Sequence, residues 1–190
     1  SDEAVRVAQA TKRLGLNHVV ITAVARDDLA DGGAEHFSRT VTSTKESNPG
    51  VVIEILVPDF NGKNDALRVC MKSEPHIFNH NLETVERLTK LVRSRAQYKR
   101  SLEVLKKAKE FANELGYNVA TKSGIMLGLG ETENEVMESM DHLLENNVTV
   151  LTLGQYLRPS EKHLPVVEYI HPDQFHRLKE VAEEKGFRHV

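Results

Sequence analysis

The sequence predicts an α/β fold, a partial (β/α) TIM-type barrel with parallel strands and outer helices. Three observations predict it. Amphipathic helices alternate with short apolar runs along the whole chain, and strands separated by helices need crossover connections that make a sheet parallel. The runs are apolar almost throughout, as expected of strands covered on both faces. They are too few for a complete barrel, because eight strands need about 250 residues and this chain has 190.

The ends of the chain decide between two architectures at this stage. An open doubly wound sheet would satisfy the same alternation of strands and helices. The chain, however, begins on a helix and stops where a sixth strand starts, at residues 187–190. We therefore expect one domain over residues 1–190, a barrel truncated at both ends, because no linker or low-complexity segment interrupts it.

Glycine and asparagine mark the ends of the predicted helices. The first helix has apolar side chains at helical spacing and ends at Gly15, where the left-handed C-cap conformation favours glycine. Gly116, the pair Asn146 and Asn147, and Gly186 end three later helices in the same way. The predicted helices cover residues 1–14, 34–47, 62–73, 82–92, 102–115, 136–144 and 175–182. The predicted strands cover residues 18–24, 51–57, 76–80, 118–127 and 148–156, most of them rich in β-branched residues.

Composition excludes several classes of protein. The chain is 39% hydrophobic and carries a net charge of -3, with no basic block longer than Lys106 and Lys107, so we expect neither nucleic acid nor membrane as a partner. A single cysteine, Cys70, rules out an internal disulfide and fits a reducing compartment. We expect a soluble cytoplasmic protein, or a mitochondrial one if the source is eukaryotic, and we expect Cys70 to pack in the core.

Polar residues follow the first predicted strand, at the end where parallel α/β proteins place their sites. Arg26, Asp27, Asp28 and Asp31 precede two glycines. Such a cluster could bind a cation or an ammonium group. The alternative is a solvated loop in which Asp31 caps the next helix.

A second polar group follows the strand at residues 76–80. Asn79, His80, Asn81 and Glu83 supply both hydrogen-bond donors and acceptors, which suits ribose hydroxyls or an amino-acid ligand. The alternative is a helix that begins here, with Asn81 as its cap and Glu83 in its first turn.

The turn after the strand at residues 118–127 contains Gly128 and Gly130. Its position before a helix suggests a phosphate site, but the crowded carboxylates of Glu131, Glu133 and Glu135 would repel a polyphosphate. We therefore expect a ligand that approaches the glycine backbone without a strong negative charge.

Lys122 and the segment at residues 151–170 extend the candidate site. Lys122 lies in an apolar strand, where it could form a Schiff base or pair with a carboxylate of a neighbouring strand. The segment at residues 151–170 is long and polar, and we expect it to form a wall of the site. It adds Gln155, Tyr156, Arg158 and His163 to the candidate residues.

Taken together, five segments resemble the lipoyl synthases, a family of radical S-adenosylmethionine (SAM) enzymes. The segments are, in chain order, VVITAVARDDLADGGAEHF, EILVPDF, FNHNLETV, TKSGIMLGLGET and LTLGQYLRPSEKHLPVVEY. The resemblance implies an incomplete, radical-SAM-like barrel that binds SAM. It also implies two [4Fe-4S] clusters in the parent protein, one that cleaves SAM to a 5′-deoxyadenosyl radical and one that is consumed as the sulfur source. The implied reaction inserts two sulfurs into a protein-bound octanoyl chain, in lipoate biosynthesis.

The resemblance also implies roles for individual residues. Asn81 and Glu83 would contact the amino-acid or ribose part of SAM, and Gly128 and Gly130 would flank the adenine. Three further positions, Lys122, Gln155 and Tyr156, would lie near the substrate pocket. The partners would be octanoylated lipoyl-carrier domains or the glycine-cleavage H protein. Two local departures from the family, Ser94 and Ala25, do not disturb the assignment.

The chain lacks the residues that would hold the implied clusters. Each cluster needs three or four thiolate ligands, whereas Cys70 is the only cysteine. We expect the cysteine motifs before residue 1 and a serine ligand after residue 190, so no catalytic or metal-binding residue is assigned here and the isolated chain should be inactive. Two alternatives stay open: a barrel lyase that uses Lys122 as a Schiff base, and a non-catalytic module that binds SAM or a lipoyl carrier.

Overall fold

A computed structural model describes residues 2–24, 26, 28–93 and 97–190. Three positions named above, Ala25, Asp27 and Ser94, lie outside the described residues. The chain divides into two compact units. The first comprises Ser1–Asn79 with Lys107–Thr121, and the second comprises His80–Lys106 with Lys122–Val190. The expectation of one domain over residues 1–190 therefore stays a prediction.

The first unit confirms the alternation of helices and parallel strands. Its elements are α1 (Glu3–Arg13), β1 (His18–Thr22), α2 (Ala34–Ser47), β2 (Val52–Leu56), α3 (Asn64–Met71) and β3 (Ile77–Asn79). Strand β2 pairs in parallel with β1 on one side and with β3 on the other. Helix α2 packs against both α1 and α3.

Alternation along the strands of the first unit separates a buried face from a more exposed one. Ile53 and Ile55 of β2 are completely buried, as is Phe78 of β3. Val20, on the other face of β1, is 53% exposed. The large apolar side chains of β2 and β3 therefore share one face, which is what the period of two dictates, although the opposite face of β2 also buries Glu54. Cys70 is completely buried in α3, which confirms its predicted packing role.

The second unit repeats the same pattern. Its elements are α4 (Thr89–Val92), the first part of α5 (Tyr98–Glu114), most of β4 (Ala120–Leu127), α6 (Glu133–Glu145), β5 (Val150–Gln155) and α7 (Pro172–Lys185). Strands β4 and β5 are parallel, with Lys122 opposite Val150 and Leu127 opposite Gln155. The predicted start of a sixth strand is confirmed by a parallel bridge between Val150 and His189.

The predicted helix over residues 82–92 is wrong in its first half. The Glu83 N–H donates to the Gly124 carbonyl at 2.9 Å, and the Glu83 carbonyl accepts from the Met126 N–H at 2.8 Å. These bonds extend the chain alongside β4, so only the 3-10 turn Glu86–Leu88 and the short α4 remain helical. The long-range partner on β4 overrides the local helical preference.

Two further findings concern the helices. Gly186 has φ 118° after α7, and Gly15 and Gly116 also have positive φ, which confirms glycine as the helix stop. Among the described residues, no helix combines the length and the apolar character that crossing a membrane requires.

Candidate functional site

All seven residues predicted to bind cofactor or substrate lie in the second unit. They are Asn81, Glu83, Lys122, Gly128, Gly130, Gln155 and Tyr156. Strand β4 organises them through its two faces. Ser123, Ile125 and Leu127 point to a face that is at least 98% buried, whereas Lys122 and Met126 on the alternate face are half-buried. We call the second face the open face; Lys122, Gly124 and Met126 define it on β4.

Parallel pairing extends the open face onto β5. Gly124 lies opposite Thr152, and Met126 lies opposite Gly154, and residues paired across parallel strands share a face. Thr152 is exposed. The open face therefore spans both strands of the second unit.

Asn81 lies over the open face at Gly124. A Cβ atom on Gly124 would be only 2.9 Å from Oδ1 of Asn81, a distance that real Cβ atoms do not adopt. The absence of a side chain at Gly124 thus makes the room that the Asn81 amide occupies. The Arg93 guanidinium also holds Asn81, because its Nη1 donates to the Asn81 backbone carbonyl at 3.1 Å.

Glu83 is held beside Asn81 in a strained backbone conformation. Its φ is 69°, the left-handed region that non-glycine residues rarely occupy. Nδ2 of Asn81 donates to Oε1 of Glu83 at 3.3 Å, and both side chains are partly exposed. No helix begins at this point, so the alternative role of Asn81 as a helix cap is wrong. The two residues form a pair of polar side chains with donor and acceptor atoms next to each other.

Lys122 and Gln155 lie on opposite faces of the strands. Lys122 shares the open face with Gly124, two residues before it on β4. Gln155 lies opposite Leu127, and Leu127 belongs to the buried face. The pairing therefore brings Lys122 to the same face as Asn81 but turns the Gln155 side chain away from that face.

Gly128 is buried in the Gly128 turn, residues 128–131, whereas Gly130 of the same turn is exposed. A Cβ atom on Gly128 would be 2.4 Å from the Glu168 carbonyl oxygen. The Gly128 N–H donates to Oε1 of Glu131 at 2.6 Å, and the Gly128 carbonyl accepts from the Val167 N–H at 2.8 Å. The φ of Gly128 is 100°, so sterics and dihedral both require glycine.

The carboxylates next to this turn are all engaged within the protein. Glu131 also accepts from the Leu129 N–H at 2.9 Å. Glu133 pairs with Arg177. Glu135 closes a capping box with Thr132 at the start of α6. The acidic crowding that argued against a phosphate site is therefore a structural feature of this helix start.

Arg87 gives Glu135 its unusual acidity. The guanidinium donates to both carboxylate oxygens, at 2.6 and 2.9 Å, and also to the Gly130 carbonyl at 2.8 Å. The hydrogen bond from Arg87, followed by the backbone N–H of Thr132, lowers the pKa of Glu135 from 4.5 to about 2. One side chain, Arg87, thus ties the Gly128 turn to the start of α6.

Gln155 and Tyr156 hold the segment that follows β5. Nε2 of Gln155 lies 3.2 Å from the Leu127 carbonyl and 3.1 Å from the Glu168 carbonyl, and Oε1 accepts from the Ile170 N–H at 2.9 Å. The Tyr156 hydroxyl donates to the Leu164 carbonyl at 2.9 Å. The predicted substrate-pocket roles of both residues stay predictions, and the contacts described here are structural.

The polar cluster after β1, in the first unit, follows its structural alternative. Asp31 accepts from the Glu35 N–H at 2.8 Å and from the Gly33 N–H at 3.0 Å, and these bonds, the Glu35 bond foremost, lower the pKa of Asp31. Asp28 forms a bidentate pair with Arg26. The Asp31 carboxylate therefore binds an N–H of the first turn of α2, as the predicted cap would, although the N-cap residue itself is Gly33.

Sequence reasoning missed one buried polar contact in the first unit. Glu54 of β2 is 2% exposed, and it accepts from Nδ2 of Asn79 at 2.8 Å. Oδ1 of Asn79 is buried and has no hydrogen-bond partner. The sequence could not single out Glu54, because an isolated glutamate in an apolar strand gives no signal about its partner. His80, by contrast, is buried against Ser101 in the second unit, at 2.9 Å.

The part of the chain that the structure describes contains no cluster of side chains that could hold a metal ion. No three histidine, cysteine, aspartate or glutamate side chains come together in a way that could bind an ion. The only cysteine of the sequence, Cys70, is fully buried, and burial raises the pKa of its thiol to about 12. One cysteine cannot supply the three or four thiolates that a four-iron cluster requires.

Comparison with known sequences gives both a superfamily and close relatives. Residues 1–143 match the sequence profile of the radical SAM superfamily. The lipoyl synthase of Oceanobacillus iheyensis is 56% identical over 187 residues, which are 98% of this chain and 58% of that protein. The lipoyl synthase of Caldanaerobacter subterraneus subsp. tengcongensis is 52% identical over 189 residues, 100% of this chain and 65% of that protein. The predicted resemblance is confirmed, and the chain spans less than two thirds of these relatives.

Solved structures share the fold. Methylornithine synthase matches 97% of this chain and 53% of its own, with a TM-score of 0.72 and 18% identity. SuiB of Streptococcus suis, bound to S-adenosylmethionine, matches 97% of this chain and 42% of its own, with a TM-score of 0.70 and 13% identity. At such identities the likeness establishes the fold alone, and it confirms the predicted partial (β/α) TIM-type barrel.

The contact between Gly124 and Asn81 predicts a specific sensitivity to a methyl group. In Gly124→Ala the new Cβ atom would lie 2.9 Å from Oδ1 of Asn81, and overpacking of this kind lowers the unfolding free energy by about 1–3 kcal/mol. Gly154→Ala is the matched control, because its Cβ would meet no atom within 4 Å on the same face. It should change stability by at most about 1 kcal/mol. Urea unfolding measures both values, and equal effects would show that Asn81 does not occupy this space.

The low pKa of Glu135 predicts a dependence of stability on pH. A carboxyl whose pKa is lowered on folding, here from 4.5 to about 2, stabilises the protein above its unfolded pKa and loses that effect as pH falls through its folded pKa. Glu135→Gln keeps the capping-box geometry but loses the charge that Arg87 binds. Its destabilisation relative to the unsubstituted chain should be full at pH 6 and should shrink between about pH 4.5 and 2. Urea unfolding at several pH values measures it, with exposed Glu138→Gln as control; a constant difference over that range contradicts the prediction.

Proposed function

Because this chain belongs to the radical SAM superfamily, we propose that it supplies the SAM-binding part of a lipoyl synthase. That enzyme is a sulfurtransferase which inserts two sulfurs into a protein-bound octanoyl chain in lipoate biosynthesis. The observation that carries the proposal is the 52–56% identity to lipoyl synthases over 98% or more of the chain. The length matched, 58–65% of those relatives, limits the proposal to a part of the enzyme.

The residues of the second unit fit the nucleoside and amino-acid parts of SAM. Asn81 presents an amide and Glu83 a carboxylate side by side, at 3.3 Å. Vicinal ribose hydroxyls donate to a carboxylate and accept from an amide, and an ammonium group donates to both side-chain oxygens. Gly124 leaves the room in which this pair is arranged. The donors and acceptors of this pair therefore suit the ribose and amino-acid groups of SAM.

In this proposal, the residues of this chain bind and orient SAM. Arg93 holds the Asn81 carbonyl, and two backbone bonds to β4 hold the Glu83 backbone, so the backbone positions of both residues are fixed. When bound, SAM supplies the radical chemistry for which the superfamily is named. Preorganised polar groups bind a ligand at lower entropic cost than mobile ones, and this is the role that we assign to Asn81 and Glu83.

The Gly128 turn contributes a surface of a different kind. The Gly128 N–H donates to Glu131, and the Gly128 carbonyl accepts from the Val167 N–H. A ligand here therefore meets backbone groups that are already hydrogen-bonded. Such a surface suits the face of a neutral base such as adenine better than it suits a phosphate. This supports the roles proposed for Gly128 and Gly130.

The [4Fe-4S] clusters implied by the resemblance do not fit this chain. One buried cysteine whose thiol has a pKa raised to about 12 cannot replace three or four thiolates. Polypeptide outside these 190 residues must supply the cluster ligands, and the isolated chain is inactive under this proposal. No reaction step is assigned to a residue of the chain.

The partners and the compartment belong to the same proposal. Octanoylated lipoyl-carrier domains or the glycine-cleavage H protein would present the substrate, and the cytoplasm would be the compartment, or the mitochondrion in a eukaryote. Lys122, on the open face two residues before Gly124, would lie near the substrate. The sequence relatives described above, at 52–56% identity, are lipoyl synthases, and this favours the proposal over the lyase alternative with Lys122 as a Schiff base.

Glu83 is expected to contribute to ligand affinity at a cost to stability. Glu83→Gln should weaken the binding of S-adenosylmethionine about 10- to 100-fold, the effect of losing a charged hydrogen-bond partner. Glu83→Gly should weaken binding similarly but raise the unfolding free energy by about 1 kcal/mol, because glycine adopts a φ of 69° without strain. Isothermal titration calorimetry and urea unfolding measure the two effects, with exposed Glu138→Gln as control. Normal binding by Glu83→Gln, with loss of stability in Glu83→Gly, would refute this role.

Iron content separates the proposal from its alternatives. After anaerobic reconstitution, the 190-residue chain should retain no stoichiometric cluster. A version extended to the full length of its relatives should retain about eight irons per chain, as two four-iron clusters. Iron analysis and the charge-transfer absorption of the clusters provide the measurement. A stoichiometric cluster in the short chain, or none in the extended one, would contradict the proposal.

A further inference from the structure

We infer that Gln155 is a positioning residue that fixes the segment after β5 across the carboxyl end of β4 and thereby holds the Gly128 turn. We call this segment, residues 156–170, the strap. The inference deepens the proposed function and rests on it for the link to cofactor binding, since the turn belongs to the proposed adenine site. It assigns to Gln155 a role other than contact with the substrate.

The strap has no regular structure to keep it in place. Residues 156–170 contain neither helix nor strand. Inside the strap, Nε of Arg158 donates to the His163 carbonyl at 2.9 Å, and the Ser160 hydroxyl lies 2.9 Å from Nδ1 of the same histidine. These bonds shape its tip but do not attach it to the strands. Two backbone bonds from Val167 and Glu168 to the Gly128 carbonyl attach its returning part, and the other attachments come from residues at its base.

Gln155 attaches the strap at two points. Its amide nitrogen lies 3.1 Å from the Glu168 carbonyl, and its amide oxygen accepts from the Ile170 N–H at 2.9 Å. The same nitrogen lies 3.2 Å from the Leu127 carbonyl at the end of β4 and 3.0 Å from the Tyr156 carbonyl. One side chain therefore connects β4, the base of the strap and the returning part of the strap.

The strap packs directly against Gly128. The Val167 N–H donates to the Gly128 carbonyl at 2.8 Å. The position that a Cβ atom would take on Gly128 lies 2.4 Å from the Glu168 carbonyl oxygen and 2.5 Å from Nε2 of Gln155. The strap and the Gln155 amide together form the wall against which the glycine packs.

Glu131 binds the N–H groups of the turn, whereas the strap supplies the hydrogen bond to the Gly128 carbonyl. The Glu131 carboxylate accepts from the N–H groups of Gly128 and Leu129. The Gly128 carbonyl, by contrast, has its partner on the strap. Release of the strap would leave this peptide group without its hydrogen bond and the φ of 100° without its steric support. Gln155 thus controls the turn through the strap.

The position of Gln155 argues against direct contact with a ligand on the open face. Its partner across the strands is Leu127, on the buried face. Its amide nitrogen has two hydrogens and already faces three carbonyl oxygens. No donor remains for a ligand.

Two substitutions at Gln155 test this role, and two others, at Tyr156 and Gln9, are the controls. Gln155→Glu places a carboxylate against three carbonyl oxygens, and Gln155→Met removes the hydrogen bonds without adding charge, which keeps the test valid if the glutamate variant does not fold. Tyr156→Phe removes only the bond to the Leu164 carbonyl. Gln9→Glu, on the exposed face of α1, makes the same chemical change as the first variant away from the strap.

Amide hydrogen exchange by NMR and the binding of S-adenosylhomocysteine are the two measurements. Both are made under conditions in which circular dichroism shows that every variant is folded. In the Gln155 variants, the Val167 and Ile170 amides, and also the Gly128 and Leu129 amides, should exchange at least about 10 times faster. The dissociation constant should rise about 10-fold. Tyr156→Phe should speed exchange only at His163 within the strap, and Gln9→Glu should change nothing.

Three outcomes would overturn the inference. Unchanged exchange at Val167 and Ile170 would show that Gln155 does not attach the strap. Faster exchange there with unchanged Gly128 and Leu129 would show that the strap does not hold the turn. Weaker binding with unchanged exchange would make Gln155 a direct ligand contact. If the unsubstituted chain does not bind the nucleoside, the proposed SAM site fails and the link to cofactor binding fails with it, while the exchange data still decide whether Gln155 holds the turn.

Discussion

The second unit depends on how closely neighbouring segments approach β4 at two glycines. At Gly124 the Asn81 amide occupies the space of the missing side chain, and at Gly128 the Glu168 carbonyl and the Gln155 amide do so. Neither approach is possible beside a residue with a Cβ atom. The two glycines therefore have different roles. Gly124 makes room for a polar side chain on the open face, and Gly128 makes room for the strap at the end of β4.

The carboxylates around the Gly128 turn show how a charge pattern can have a local cause. Three glutamates within five positions suggest an acidic surface when read from the sequence. In the structure Glu131 binds two backbone N–H groups, Glu133 pairs with Arg177, and Glu135 pairs with Arg87. Each negative charge thus has a partner, and the helix start that could have attracted an anion is already satisfied by the chain itself.

Most of the fold could be predicted from the sequence, because it rests on local signals. Helix α2 was predicted over residues 34–47 and is observed at Ala34–Ser47, and the glycine stops at Gly15, Gly116 and Gly186 have the expected positive φ. The failure at residues 82–92 has a physical cause, since Glu83 forms its backbone bonds with Gly124 and Met126, some 40 residues away. Local propensity contains no information about such a partner.

The candidate site was predictable only to the level of residue type. Asn81 and Glu83 could be recognised because amide and carboxylate follow a strand end, and the structure places them side by side. The face on which Gln155 lies depends on the pairing of Leu127 with Gln155, and a shift of one residue in that pairing would reverse it. Register between strands is decided by packing, so the sequence alone could not separate Gln155 from the residues of the open face.

Under the role proposed for Glu83, its backbone conformation opposes stability to ligand binding. A glycine would relieve the strain of a φ of 69°, and asparagine or aspartate tolerates this region better than glutamate does. Aspartate, however, is shorter by one methylene group, and it would withdraw the carboxylate from the Asn81 amide that now lies 3.3 Å away. Only the longer side chain keeps both the backbone bonds to β4 and the polar pair over Gly124. Strain retained at one residue is therefore explained by the position of its carboxylate, which is the property that a ligand would recognise.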